Sequence, residues 1–233
     1  MKRFFLILVL LTSCTYSFGR ERTMQSAWAE SDQPIDTNAT SSFWQRAPAI
    51  YMDSDTKGKP DPKYRTEIHT RWTQSNLYFL FICPYQELNL KPQPTTTDET
   101  NELWNWDVAE AFIGSDFKNI RRYKEFEISP QGEWVDLDID LDKPHHEDGW
   151  KWNSGFTVSA RIDQDAHIWY GAMKIPYSSI DNRPAAAGNV LRINLFRSQG
   201  PASARHQIAW QAPMSDSFHV PARFGLIKLV KSK

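Results

Sequence analysis

The stretch "ELWNWDVAEAFIG", residues 102–114, sets a carboxylate, Glu110, between Val108 and Phe112 on one side of a run that reads as a β-strand. An ionised carboxylate on an apolar face is costly unless it is paired or hydrogen-bonded. Two kinds of partner suit it: an internal arginine such as Arg192 or Arg197, or the hydroxyl groups of a ligand held in a cleft. A second run, "RYKEFEIS", puts Tyr123, Glu125, Glu127 and Ser129 on one face and Lys124, Phe126 and Ile128 on the other. Glu110 with Glu125 or Glu127 is also the pair that could cleave a glycosidic bond, a reaction that needs two carboxyl groups at a set separation. Spacing along the chain does not fix that separation.

Other reactive patterns are thin. There is no G-x-S-x-G elbow, no H-E-x-x-H and no phosphate-binding loop. "WVDLDIDLDK" alternates Val135, Leu137, Ile139 and Leu141 with Asp136, Asp138, Asp140 and Asp142, which reads as a strand with one solvated acidic face. Alternation spreads such carboxylates about 7 Å apart, too far for one calcium ion to hold several. His145 and His146 read as part of a surface loop. Cys83, within "LYFLFICP", reads as a small buried hydrophobe, and no metal site can be built on cysteine.

The elements that must carry these side chains are strands. "YRTEIHTRW" alternates with a period of two, and "NLYFLFICP" is apolar throughout, as a central strand buried on both faces would be. Further strands are expected at 108–114, 123–129, 133–141, 155–162, 167–175, 191–198, 207–210 and 224–230, with turns such as "SPQG" and "DQDA" between several of them. No stretch sustains a helical stripe, and "PYSSI" allows one short turn. The expected fold is all-β, an antiparallel β-sandwich of jelly-roll type, closed as a single domain from about 41 to 231. Residues 14–40 are polar and lack a clear period, so they read as a linker or tether.

The 233-residue chain balances 27 basic against 28 acidic side chains, which gives no net field for nucleic acid or an anionic membrane surface. Aromatics make up 13% of it, and its 10 tryptophans exceed what a core of this size needs. A tryptophan face suits the C–H faces of sugar rings as well as it suits a protein interior. Trp44, Trp72, Trp169 and Trp210 stand in strand-like contexts and are assigned to the core. Trp106, Trp150 and Trp152 serve equally well as platform residues or as cover for one end of a sandwich. At the start, Lys2 and Arg3 precede an apolar run at 4–11 and then "LTSC", so residues 1–13 read as an export signal, too short for a stable bilayer span. "LTSC" also resembles a bacterial lipobox, which implies acylation of Cys14. The rival reading is cleavage nearby and release as a soluble exported protein.

The order "FWQRAPAIYM", "NLYFLFICP", "WNWDVAEAFIG", "YKEFEISPQGEW", "WYGAMKIPYSSI", "LRINLFRSQG", "IAWQAP" and "FHVPARFGLIKL" resembles the family 9 carbohydrate-binding module and its bacterial relatives, over residues 41–231. The resemblance implies a jelly-roll sandwich, often with structural calcium, that grips a glycan chain end between two aromatic rings. It implies that Trp104, ahead of Asp107 and Glu110 in a D-x-x-E stretch, is the first ring, and that Phe218 in "SFHVPARFG" is the second. Glu110 then bonds sugar hydroxyls. Where sugar-binding members place an arginine and an asparagine, this chain has Glu127 and Ser129, so a positive donor has become an acceptor. The resemblance thus implies non-catalytic binding of an oligo- or polysaccharide in support of carbohydrate catabolism, by Trp104, Glu110, Glu127, Ser129 and Phe218, with no cofactor besides calcium. Two alternatives stand beside it. One is the glycoside hydrolase. The other is a haem-binding domain of the related DOMON type, with ligands drawn from Met173, Met214, His69, His206 and His219.

Overall fold

A computed structural model describes residues 22–143 and 150–231. Cys14, His145, His146 and the export signal lie outside the described residues. The ten strands expected from alternation are all present: β4 (Thr66–Trp72), β5 (Asn76–Pro84), β6 (Val108–Gly114), β7 (Arg122–Ile128), β8 (Trp134–Asp140), β9 (Thr157–Asp163), β10 (Ile168–Pro176), β11 (Val190–Gln199), β12 (His206–Ala209) and β13 (Gly225–Val230). Three short strands join them, β1 (Thr23–Trp28), β2 (Ile50–Met52) and β3 (Ser54–Asp55). Among the described residues helical structure is confined to single turns, the longest being α1 (Ser42–Gln45).

The strands form one continuous sheet in the order β8-β7-β6-β11-β13-β1-β4-β5-β10-β9. It rolls over so that its two halves face each other as a sandwich. The alternate residues Ala109, Ala111 and Ile113 of β6 and Phe126 and Ile128 of β7 join Leu77, Phe79 and Phe81 of β5 and Trp169 and Met173 of β10 in one buried core. The two halves come close at Gly171 of β10, where an added Cβ would lie 3.1 Å from Ile128 of β7. Trp44, Trp72, Trp169 and Trp210 are buried, as the strand contexts require.

The segment read as a tether is corrected in part. Residues 23–28 form β1, which runs parallel to β13 on one side and to β4 on the other. These two pairings are the parallel exceptions in a sheet that is otherwise antiparallel. In β1 Met24 joins the sandwich core and Trp28 packs against it, while Ser26 between them is fully buried with its hydroxyl 3.0 Å from that of Thr70. Backbone hydrogen bonding along both edges also holds the strand, which side-chain hydropathy does not report. Arg71 of β4 reinforces the place by donating to the carbonyls of Ala27, Trp28 and Phe43.

The acidic face of β8 is corrected as well. Asp136 is 1% exposed and accepts hydrogen bonds from the Ser154 backbone N–H (2.9 Å) and hydroxyl. Asp140 is also buried and meets Arg122 at 3.1 Å, whereas Asp138 stays half exposed beside Lys124. The chain returning at Trp150 pairs along the outer edge of β8, with the Asp138 N–H donating to the Trp150 carbonyl, and brings Ser154 onto Asp136.

Candidate functional site

The second face of the β8-β7-β6-β11 half looks away from the sandwich core. Cross-strand register puts Glu110 beside Glu127 and Phe196, Phe112 beside Glu125, Val108 beside Ser198, and Glu125 beside Leu137. This is the apolar side that carries Glu110: Val108, Phe112, Val135, Leu137 and Phe196 form a second buried cluster with Trp150, Phe218 and Phe224 arriving from loops. The loops do not fill the space, and a cavity of about 210 Å³ remains. Its floor includes Glu110, Glu125 and Ser198, and its walls include Trp104, Trp150 and Phe218. That is below the ~300–1,000 Å³ of sites for drug-sized ligands, a size for one sugar-like residue.

Trp104 sits in a single turn at Leu103–Asn105, immediately before β6. Arg205 fixes that turn by donating to the carbonyls of Trp104 (2.7 Å), Trp106 and Gly200. Asp107 fixes its far end, accepting from the N–H groups of Asn89 (3.1 Å) and Gly200 (2.7 Å). Burial raises the Asp107 carboxyl above its usual range while these N–H groups and Arg197 and Arg205 oppose the rise. Also on the cavity wall, Phe218 lies flat on Phe196, ring centroids 4.1 Å apart with a 5° interplanar angle. One face of Phe218 is therefore covered by protein. His219, next along, meets the Tyr123 hydroxyl at 2.6 Å through Nδ1 and stacks on Phe112. Trp150 donates its indole N–H to the Asp140 carbonyl at 2.9 Å.

The floor is strongly acidic. Oxygens of Glu110, Glu125 and Glu127 lie within 4.8 Å of one another, and all three residues are buried. Among the described residues no cation stands at ion-pair distance from Glu110, which accepts a hydrogen bond from the Ser198 hydroxyl at 3.5 Å. The arginines proposed as partners serve elsewhere. Arg197 turns to the other face and donates to Pro84, Thr66 and Gln199, and Arg192 donates to the carbonyls of Ile120 and Pro221. Burial first, then the Glu125 charge, holds Glu110 well above the usual carboxylate range, with Arg205 and Ser198 pulling the other way. Burial pushes Glu125 up to about 7 against a hydrogen bond from Glu127. Glu127 is raised by burial and by both of its neighbours. A proton shared between Glu127 and Glu125 relieves part of that repulsion. Beyond this contact with each other, Oε2 of Glu125 and both carboxylate oxygens of Glu127 meet no hydrogen-bond donor among the described residues.

Of the residues expected from sequence, Trp104, Glu110 and Phe218 come together in this cavity. Glu127 lies beside Glu110, fully buried and off the cavity lining. Ser129 does not join them: its hydroxyl donates to Glu133 at 2.8 Å and accepts from the N–H groups of Gln131 and Glu133, closing the β7–β8 turn. Gln207 and Ser217 line the cavity and carry no signal in the sequence. The three glutamates are also the group among the described residues able to hold a hard cation such as calcium, and their orphaned oxygens fit an oxygen-seeking ion. The candidate haem ligands disperse. Met173 is in the sandwich core, Met214 is exposed, His69 bonds Ala47 and Glu67, His206 packs on Tyr64 beside Asp61, and His219 faces Tyr123. A larger groove of about 570 Å³ lies where β1 leaves the sheet, lined by Trp28, Phe43 and Arg71 among others. It is a less suitable binding site, because Arg71 already donates to three backbone carbonyls there.

A β-sandwich that holds two aromatic rings over a carboxylate floor defines a small-ligand binding module. The model of the family described as carbohydrate family 9 binding domain-like matches residues 35–232, and the chain belongs to that family. Among solved structures, a putative carbohydrate-binding protein from Bacteroides uniformis is similar at a TM-score of 0.70 and 13% identity, covering 90% of this chain and 99% of that one. A family 9 carbohydrate-binding module from Caldicellulosiruptor kristjanssonii, solved in complex with cellotriose, is similar at 0.63 and 12% identity, covering 91% and 95%. The same organism's module in complex with glucose also reaches 0.63, at 12% identity, covering 91% and 97%. An extracellular protein of Arthroderma benhamiae is 26% identical over 164 residues, which is 65% of this chain and 68% of that protein.

Proposed function

We propose that the protein is an exported, non-catalytic carbohydrate-binding protein. It stacks a sugar residue against Trp104 and Phe218 and reads its hydroxyls with Glu110, in support of polysaccharide catabolism. The observation that carries this reading is the convergence of those three side chains, from three separate segments, on one open cavity. A sugar has apolar C–H faces and a rim of donors, which match aromatic walls and an acceptor floor. The family supports the same reading, and so do the related Caldicellulosiruptor modules seen with cellotriose and glucose.

Binding without catalysis is favoured by the layout of the carboxylates. Glycosidases flank the scissile bond with their two carboxyl groups, whereas Glu110, Glu125 and Glu127 project side by side from one face of adjoining strands. The N-terminal pattern and the extracellular relative support export. Acylation of Cys14 would then tether the domain to a membrane surface.

A panel of mono- and oligosaccharides tests the reading by calorimetry. At least one sugar should bind, and Trp104→Ala should abolish that binding while the melting transition survives. Absence of binding at millimolar sugar, or binding indifferent to this substitution, overturns it.

A further inference from the structure

The floor of the cavity is more acidic than neutral hydroxyls require, and its acceptors outnumber their donors. Glu110, Glu125 and Glu127 bring their oxygens within 4.8 Å of one another, and three of those oxygens, on Glu125 and Glu127, are buried and meet no hydrogen-bond donor beyond the other glutamate of that pair. Glu125 is 3% exposed and itself lines the cavity. Among the described residues, the lining contains neither lysine nor arginine. Arg205 acts on Glu110 and Glu127 electrostatically, but its N–H groups are donated to Gly200, Trp104 and Trp106. His219, the other titratable group on the wall, is bonded to Tyr123.

We propose that this site takes a sugar residue bearing a free ammonium group, with the ammonium seated against Glu110 and Glu125. The inference rests on the carbohydrate-binding reading and narrows it to amino sugars. A hydroxyl offers one donor and no charge. An ammonium offers three donors and a full positive charge, so it answers the orphaned Oε2 of Glu125 together with the Glu110 carboxylate and forms the stronger, charge-assisted kind of hydrogen bond. The walls favour the same charge, because the faces of Trp104, Trp150 and Phe218 carry negative quadrupole potential and attract cations in a desolvated site. A bare divalent ion would also satisfy the carboxylates but would gain little from an apolar aromatic wall. An amino sugar uses both halves of the cavity, its C–H face on the rings and its ammonium on the floor.

Calorimetry on the full chain with D-glucosamine, D-glucose and N-acetyl-D-glucosamine tests this at about pH 7.5, above the value of about 7 to which burial lifts Glu125 and below the ~8 at which an α-amino-like group loses its proton. Each titration is run in EDTA and again with added calcium. Glucosamine should bind at least about tenfold more tightly than glucose, a difference of about 1.4 kcal/mol, in either buffer. N-acetylation, which removes the charge, should abolish the advantage. In Glu125→Gln the ratio of glucosamine to glucose affinity should fall to about one. The comparison of sugars on the unmutated protein decides the matter even if that variant fails to fold. Equal affinity for glucosamine and glucose, with Trp104→Ala abolishing both, overturns the ammonium inference and leaves the carbohydrate site standing. Glucose binding that appears only with calcium replaces the ammonium with a divalent cation. Failure of every sugar to bind overturns the site itself.

Discussion

The buried glutamates should give the protein a stability that declines as pH rises, opposite to the behaviour of most carboxylate-rich domains. Glu125 has an ordinary value of 4.5 and is pushed up to about 7 in the fold by burial. The folded state therefore holds a proton that the unfolded chain gives up near 4.5. The associated stability is complete below that pH and is lost as pH climbs through about 7. At roughly 1.4 kcal/mol per unit, this one residue contributes about 3 kcal/mol, a large share of the ~5–15 kcal/mol that keeps a typical domain folded. Glu110 and Glu127 are shifted in the same direction. Groups shifted the other way act at lower pH. Asp32, held down against burial by hydrogen bonds from Thr73, Asn76 and Tyr78, and Asp181, held down against burial by Arg183, lose their contribution only below about pH 4. Urea unfolding of the sugar-free protein in EDTA, between about pH 5 and pH 8, reads this directly. Stability should fall across that window, and Glu125→Gln should flatten the slope. A free energy that stays level or rises with pH in the unmutated protein would refute the shared-proton account of the floor.

Other perturbations follow from the packing. Gly171→Ala places a methyl 2.7 Å from the Trp169 ring and 3.1 Å from Ile128, and should cost about 1–3 kcal/mol in a denaturation experiment without altering sugar affinity. Phe218→Ala removes a ring stacked on Phe196 at 4.1 Å, so it should lower stability by about 3 kcal/mol and weaken sugar binding together. Deleting the chain through Trp28 removes β1 from between β13 and β4; the shortened protein should lack a cooperative melting transition, whereas a mere tether could be cut without loss. Cys83 is fully buried and its thiol is pushed up to about 11 by burial, so a thiol reagent at about pH 8 should modify it only after unfolding.

What alternation could announce, it announced. The strands that bury one or both faces of an apolar run, from β4 through β13, were legible because their own side chains declare the period. β1 was not, since a buried serine, Ser26, interrupts its apolar face between Met24 and Trp28, and backbone pairing on both edges leaves no hydropathic signature. Nor did the buried Asp136 and Asp140 show, because the chain at 150–154 that pairs beside β8 and brings Ser154 onto Asp136 is distant in sequence. For the site, Trp104, Glu110 and Phe218 came from motif order and meet in the cavity. Ser129 came from the same alignment of motifs and went to a turn, because Glu133, four residues on, accepts its hydroxyl. Glu125 shared a face with Glu127 in the sequence, but its presence in the cavity depends on the register that sets it opposite Phe112.

The account turns on where a sugar sits, and a crystal structure of the protein soaked with a saccharide that it binds addresses this most directly. The ring should lie in the cavity against Trp104 and Phe218, with a hydroxyl or ammonium within hydrogen-bond distance of Glu110. A sugar found instead in the groove beside Trp28 and Arg71, with the carboxylate floor untouched, would contradict it.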